Sequence, residues 1–349
     1  MENAFCSRLG NWFRAFLLKA LMIPIKGEEL MLNYILKRVW SAVIVIFIVS
    51  FITYFVLMFL PGDAAQLILG HEATAEQLAE LRSAMGLDRP WIVQYADWLR
   101  GLLSLDFGES YLYGTGVLTL IIQRLPVTLS VAFFSMLIAS IVAIVLGALA
   151  AIYRNSFIDY FSRSIMQIGS AIPPFWLGMI FIIYFGLKLK WFPISDYVAI
   201  SDGLFAHLRS LVMPCTVLAI GEVGMLLRSV RTSMIDAIEQ DYMDMARVNG
   251  LKGTTVYFKY ALRNAMIAPI NVFGMQFAKL MGGTAVVESV FSLPGLGRLL
   301  LVAVEQRDII LLQGIVMFIT AVVVFTSLVV DMAVMLLNPK IRAKAGGEQ

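Results

Sequence analysis

The sequence has 349 residues, of which 60% are hydrophobic and 15% are charged, and its formal net charge is +3. Soluble domains are closer to half apolar and a quarter charged, so this composition is typical of a chain whose solvent is a lipid bilayer. The small net charge gives no reason to expect a nucleic-acid partner. The two cysteines and two histidines lie far apart along the sequence, and they offer neither a disulfide framework nor a metal-ligand set.

Residues 1–30 form an N-terminal extension in which aromatic and aliphatic residues recur at helical spacing with basic residues between them. This pattern is typical of a helix lying in the membrane interface on the cytoplasmic side. One alternative stays open from the sequence, namely that translation starts at Met31. In both cases the first membrane span follows the extension, within residues 31–60.

Six stretches are long and apolar enough to predict transmembrane helices, because about 20 mostly apolar residues cross a bilayer. They are Trp40–Leu60, Leu129–Ile152, Ile165–Leu187, Leu211–Leu227, Met266–Val287 and Ile309–Leu337. Pro173 and Pro174 should kink the third. If both termini are cytoplasmic, 17 of the 27 lysines and arginines fall on the inner side and nine on the outer side. The sequence therefore predicts an all-α inner-membrane protein with six spans and both termini inside.

The long segment 61–124, after the first span, is predicted to be a small periplasmic subdomain. Within it, Ala73–Met85 has the spacing of an amphipathic helix. Thr74 and Gln77 stand three residues apart, as the two members of a capping box do. The helix should therefore begin next to Thr74.

The segment 228–263, between the fourth and fifth spans, is polar and cytoplasmic by its charge. Its pattern predicts one helix over Asp236–Arg247 and another over Thr254–Leu262. Gly250 and Gly253 should break the chain between them.

The stretch Asp241–Leu251 is similar to the "EAA" loop of ABC importer permeases, which has the pattern E-A-A-x-x-x-G. Ala246 and Gly250 match the second alanine and the glycine, while Asp244 and Met245 replace the glutamate and the first alanine. The resemblance implies a coupling helix that docks on an ATPase subunit. We expect the small residues Ala246 and Gly250 to leave one helix face free for this approach. The residues implied in coupling are Asp241, Tyr242, Asp244, Ala246, Arg247, Gly250 and Leu251.

Four further motifs resemble the dipeptide/oligopeptide/nickel branch of these permeases, in the first of its two permease subunits. They are Leu60–Asp63, Gly86–Pro90, Leu105–Ser110 and Glu288–Arg298. The resemblance covers residues 31–342. It implies a type I importer permease fold with a periplasmic insertion after the first span, a five-helix core over 125–342, and a short tail at 343–349.

The same resemblance implies partners and cargo. The chain would form the translocation pathway with a second, homologous permease. Two ABC ATPase subunits would bind ATP and magnesium, and a periplasmic or lipid-anchored binding protein would deliver the substrate. The cargo would be a peptide or a related small solute such as glutathione, a nickel chelate or an opine.

The outer loops 61–124 and 288–308 are expected to receive the binding protein, because periplasmic loops do so in this superfamily. The candidate contact residues are Phe291, Pro294, Gly295, Gly297 and Arg298. The alternative is that proline and glycine here serve only to form a loop.

Ionisable residues inside spans are costly and face protein or water. Glu222, in span four, and Lys279, in span five, could pair with each other or line the pathway, and Asp331 could be anchored by a nearby arginine. Trp176, beside the two prolines of span three, is a candidate wall of the pathway or a packing residue.

The sequence contains no G-x-x-x-x-G-K-[ST] loop and no Ser/His/Asp set, so we predict that the chain has no cofactor and no catalytic site of its own. Energy for transport would come from another subunit. The alternative is a secondary transporter driven by an ion gradient, for which Glu222 is the one candidate coupling acid near the membrane midplane.

Overall fold

The computed structural model describes residues 27–58, 69, 73–84 and 88–337. Most of the N-terminal extension, the Leu60–Asp63 motif and the tail at 343–349 lie outside these ranges, so the predictions made for them are not addressed by the structure.

The described chain is mostly helical, with one two-stranded hairpin. In order, the elements are α1 (Gly27–Met58), α2 (Ala75–Ala84), α3 (Trp91–Leu103), β1 (Glu109–Ser110), β2 (Thr115–Gly116), α4 (Val117–Ile152), α5 (Phe157–Ala171), α6 (Pro174–Phe181), a π-helix (Ile182–Lys188), a 3₁₀ turn (Ile200–Asp202), α7 (Leu204–Ile238), α8 (Asp241–Val248), α9 (Gly253–Thr255), a second π-helix (Val256–Ala261), α10 (Leu262–Ala265), α11 (Ile267–Gly283), α12 (Ala285–Val290), α13 (Leu296–Glu305) and α14 (Ile309–Leu337).

Four helices of the described ranges are long and apolar enough to cross a membrane, and there are five if a bent pair counts as one span. The four are Ile35–Val56, Val117–Ile152, Leu204–Ile238 and Ile309–Val334. They coincide with predicted spans one, two, four and six, whose existence is thus confirmed. Val117–Ile152 and Leu204–Ile238, which correspond to predicted spans two and four, are longer than predicted. They have 36 and 35 residues, because each continues past the apolar stretch into a polar end.

Predicted span three is not one kinked helix. Phe157–Ala171 and Pro174–Lys188 meet at 100°. Ile172 (φ −84°, ψ 123°) and Pro173 (φ −64°, ψ 131°) are both extended, because proline disfavours the helical conformation in the residue before it. Pro174 then opens α6 at a position where its missing N–H costs nothing. The two prolines therefore end one helix and start another.

Predicted span five is also interrupted. Helix α11 has 17 residues and ends at Gly283, and α12 begins two positions later. The hydroxyl of Thr284, at the break, donates to the carboxylate of Glu288 at 2.8 Å. The continuous helix expected over Met266–Val287 is therefore wrong at its C-terminal end.

The core lies where α4 and α7 pack along each other, with α5 and α11 against them. Glycines permit the closest approaches: a Cβ on Gly224 would lie 2.7 Å from the carbonyl oxygen of Met166, and one on Gly147 would lie 2.9 Å from Val230.

Helix α1, by contrast, is mostly exposed and packs on α14 and α3. Arg38 anchors it to Asp331 at 3.1 Å, as expected for Asp331.

The segment after α1, predicted to be periplasmic, contains two helices in its described part. Helix α2 begins next to the predicted capping box: the Thr74 amide donates to the Gln77 side chain at 3.0 Å, and the Gln77 amide donates to the Thr74 hydroxyl at 3.3 Å. Helix α3 packs on α1 through Tyr95, whose hydroxyl lies 2.8 Å from that of Ser50.

Candidate functional site

Helix α8 is set apart from the bundle by a turn at each end. Before it, Gln240 is extended (φ −83°, ψ 145°), so the single helix predicted over Asp236–Arg247 is instead divided between α7 and α8. After it, Gly250 has φ +74°, a left-handed conformation in which glycine is favoured. The Gly250 amide donates to the Arg247 carbonyl at 3.0 Å and the Leu251 amide donates to the Ala246 carbonyl at 3.3 Å. These two bonds form a Schellman cap.

The two faces of α8 have opposite surroundings. Met243 and Ala246 are buried and pack in a cluster with Val256 of the second π-helix. Met245 and Val248 point away from the chain, with 67% and 85% of their surface exposed. Our expectation that Ala246 opens a face toward a partner is therefore wrong. Its small side chain lets α8 lie close to its own bundle, and the free face belongs to residues one position before it and two after it.

Polar contacts fix the orientation of α8. Acidic residues stand in its first turn and Arg247 in its last, which complements the helix dipole. Arg247 pairs with Asp244 at 2.9 Å. The amide of Asn264, on α10, donates to the hydroxyl of Tyr242 at 3.1 Å. Asp241 and Leu251, the remaining residues implied in coupling, are exposed at the two ends.

Glu222 and Lys279 meet between α7 and α11. The ammonium of Lys279 lies 3.2 Å from the Glu222 carboxylate, which confirms that they can pair. The amide of Gln276 donates to the Glu222 carbonyl oxygen at 3.0 Å and also to its carboxylate. The Glu222 side chain is 7% exposed and that of Lys279 is 72% exposed. Only the lysine can therefore reach a solute outside this chain.

Trp176 stands on α6 just after the 100° bend, with about half of its surface exposed. Two positions on, Gly178 lies against the loop 291–298, called the outer loop here because the sequence predicts it to be periplasmic, and a Cβ there would be 3.2 Å from the Phe291 ring. Trp176 therefore stands between the bend and the point where α6 meets that loop.

A buried carboxylate holds the outer loop 291–298 against the bundle. Glu288 is fully buried and accepts from the Thr128 hydroxyl at 2.7 Å and from the Arg298 amide at 2.8 Å. Thr128 accepts in turn from the Leu296 amide at 2.8 Å. A Cβ on Gly295 would overlap the Glu288 carboxylate, so only glycine fits there.

Phe291, Gly295 and Gly297 are therefore buried within the chain rather than displayed. Our expectation that they offer direct contacts to a binding protein does not fit this burial. Pro294 is half-buried, and Ser292 and Arg298 are the exposed members of the loop. Glu288 belongs to the sequence motif Glu288–Arg298, but nothing in the sequence indicated that its carboxylate would hold this loop.

The hairpin of β1 and β2 is tied to the same region by a second buried acid. Asp308, just before α14, accepts from the Ser110 hydroxyl at 2.5 Å and from the Leu112 amide at 3.2 Å. Burial, reinforced by the Asp308 carboxylate, raises the pKa of Tyr111 to about 12. Asp308 also caps α14 through the Leu311 amide at 3.0 Å.

Hairpin, outer loop and helix α4 enclose a recess of about 240 Å³ on this side. Its lining includes Tyr113, Pro294 and two cations, Arg124 and Arg298. Neither arginine forms an ion pair within the described residues. Sequence reasoning did not connect Arg124 with this loop, because 170 positions separate it from Pro294.

Family models match most of the chain. Residues 143–343 match the binding-protein-dependent transport system inner membrane component, and residues 31–132 match the N-terminal part of such membrane components. The chain belongs to this family. Membership supports the permease interpretation over the ion-gradient-driven alternative.

Curated relatives agree over nearly their whole length. The permease is 38% identical over 313 residues to a protein of Brucella melitensis named as a peptide transport system permease, covering 90% of this chain and 99% of that one. It is 36% identical over 314 residues to the glutathione transport system permease protein GsiC of Escherichia coli K12, covering 90% and 100%. Among solved structures, the MetNI methionine ABC transporter in an inward-facing conformation aligns with a TM-score of 0.52 at 16% identity, over 63% of this chain and 96% of that one. This last likeness shows the type I permease fold.

Proposed function

We propose that this permease carries peptides, or small peptide-like solutes such as glutathione, across the inner membrane as one half of the translocation pathway of an ABC importer. The names of its relatives support the cargo class. A second, homologous permease would complete the pathway, a periplasmic or lipid-anchored binding protein would deliver the solute, and two ATPase subunits would bind ATP and magnesium. Both termini would be cytoplasmic.

The observation that carries this proposal is the two-faced helix α8. Its outer face presents Met245 and Val248, two apolar side chains that water solvates poorly, next to the acidic Asp244. An apolar centre with a charged rim is the usual composition of a protein interface. We infer that this face docks on an ATPase subunit.

The inner face of α8 would transmit the movement. Met243 and Ala246 lie in one buried cluster with Met234 of α7 and Ala148 of α4. A push on α8 therefore reaches the two longest helices through contacts that are already close-packed, and packed interiors transmit displacement with little compression.

Substituting Val248→Asp tests the docking face. The charge would have to be desolvated in the interface, so we expect the ATPases to be lost from the purified complex and substrate-stimulated ATP hydrolysis to fall at least tenfold, while membrane insertion is kept. The matched control is Thr254→Asp, which adds the same charge at an exposed position a few residues beyond α8. Full hydrolysis and uptake with Val248→Asp would contradict the proposal.

For the pathway we propose Lys279 as the residue that meets the solute, held by Glu222, with Trp176 as a wall. A peptide carries a carboxylate, and the lysine ammonium is the exposed partner of the pair.

For the outer surface, Arg124 and Arg298 in the 240 Å³ recess would receive an acidic side chain of the binding protein.

A further inference from the structure

Arginines line a second and larger recess, of about 620 Å³, at the other end of the bundle. The four are Arg154, Arg163, Arg228 and Arg231. Arg154 follows the last turn of α4 and pairs with Glu239 at 2.9 Å, next to the turn that leads into α8. The recess therefore lies on the side of the bundle that carries α8, and the coupling role proposed above does not use it.

A buried aspartate orients two of these arginines. Asp159 is fully buried, and Arg231 engages it through Nε at 2.7 Å and Nη2 at 3.0 Å. Arg163 also presents its Nε–Nη2 edge to the Asp159 carboxylate, with Nη2 at 2.7 Å from it. Both guanidinium groups keep Nη1 without a hydrogen-bond partner among the described residues. Asp159 thus holds the two Nη1 groups beside the recess without forming a hydrogen bond to either of them.

Positive charge in the recess exceeds what its own acids neutralise. Asp159 is shared by Arg163 and Arg231, and Glu239 serves Arg154. Arg228 is exposed and forms no ion pair or hydrogen bond within the described part of the chain. These six residues therefore leave two positive charges. Guanidinium groups match the oxygens of a phosphate in geometry and charge.

We propose that this recess binds a phosphate group. Two sources share that chemistry, the headgroup of an anionic phospholipid and a free phosphate in the cytosol. Basic pockets among transmembrane helices on the cytoplasmic side are suited to lipid headgroups.

Neighbouring aromatic residues favour the lipid. Phe157, Tyr160 and Phe161, in the first turns of α5, are 82%, 57% and 50% exposed. Aromatic side chains at such positions are typical of the level of the headgroups. The guanidinium of Arg163 lies 5.6 Å from the Tyr160 ring, so this aromatic group adjoins the recess.

Native mass spectrometry of the full-length chain, released from detergent containing equal amounts of phosphatidylglycerol and phosphatidylcholine, tests the proposal. The wild-type chain should retain phosphatidylglycerol in preference. Arg228→Gln should lower that retention about fivefold, the order contributed by one basic residue near an anionic lipid. Arg263→Gln, an equal loss of charge at an exposed position outside the recess, should leave it unchanged.

A second arm identifies the source. If no lipid is preferred but inorganic phosphate raises the unfolding temperature of the wild-type chain and not of Arg228→Gln, the site takes a free phosphate. The proposal is overturned if neither lipid retention nor the response to phosphate differs between the wild-type chain and Arg228→Gln. Because Arg228 is exposed and unpaired, its substitution leaves the fold intact, and a monodisperse elution profile verifies this.

Discussion

The hydroxyl of Thr128 lies 2.7 Å from the buried carboxylate of Glu288, across 160 positions of sequence. Thr128 belongs to the first half of α4 and Glu288 to α12, so this bond joins a long helix to the element that leads into the loop 291–298. The same hydroxyl accepts from the Leu296 amide. One small side chain thus fixes both a carboxylate and the backbone of the loop.

Thr128→Val should therefore destabilise the permease by about 1–3 kcal/mol, because a buried carboxylate and a buried amide each lose a partner. Thermal unfolding in detergent measures this. The matched control is Thr320→Val, whose hydroxyl donates only to the Val316 carbonyl of its own helix, at 2.8 Å. Equal unfolding temperatures for the two variants would show that the bond to Glu288 contributes nothing.

Gly224→Ala should destabilise the packing of α5 on α7 by about 1–3 kcal/mol, because the added methyl group would lie 2.7 Å from the Met166 carbonyl oxygen. Gly221→Ala, three residues earlier on the same helix, adds its methyl group to open space and should be neutral or stabilising by up to about 1 kcal/mol. The comparison uses the same unfolding measurement. Similar losses in both variants would mean that helix propensity, rather than close approach, decides.

Gly250→Val should reduce substrate-stimulated ATP hydrolysis more than Gly250→Asn does. A Cβ at this position meets no neighbour within the chain, so the effect on the fold comes from the left-handed backbone, which costs most non-glycine residues about 1–2 kcal/mol and asparagine less. The Schellman cap would loosen and α8 would lose its orientation. Equal activity of the two variants would exclude the backbone as the cause.

Lys279→Met should cost more stability than Glu222→Gln. The first leaves a buried carboxylate without its cation, at a cost of about 1–3 kcal/mol, whereas the second leaves a lysine that is already 72% exposed and can be solvated, at a cost of under about 1 kcal/mol. The double variant should recover part of the loss. Measured unfolding free energies that rank in the opposite order would show that Glu222 is the exposed partner.

Cysteines placed at Val248 and Ser292 should react with an impermeant maleimide from opposite sides of the membrane. Both positions are exposed, the first on α8 and the second in the outer loop. The background variant replaces Cys6 by serine, and the native Cys215 is buried and should stay unlabelled. Labelling of residue 248 from the periplasm would invert the proposed orientation.

Local signals in the sequence predicted local structure well. The Thr74–Gln77 capping box and the stop after α8 at Gly250 both follow from chemistry within a few residues, and the structure confirms both. The long spans were equally readable, because a bilayer demands a run of apolar residues that few other structures need.

Features that depend on distant partners were not predictable. The sequence could not show that Ala246 faces its own bundle, because it shares a buried cluster with residues such as Ala148 and Val256, which lie ten or more positions away. Nor could it show that Thr128 and Glu288 meet, or that Asp159 holds Arg231 across 72 positions. In each case a polar or small residue is explained by a neighbour supplied by the fold.

Beyond Pro126, helix α4 continues for 26 residues to Ile152, a rod of about 39 Å. Thr128 lies toward one end, and Arg154 follows the other. A stiff rod that rocks about its middle moves its two tips in opposite directions. Any tilt of α4 that draws the outer loop inward therefore swings the arginine recess outward, and a mouth that narrows on one side of the membrane is matched by one that widens on the other.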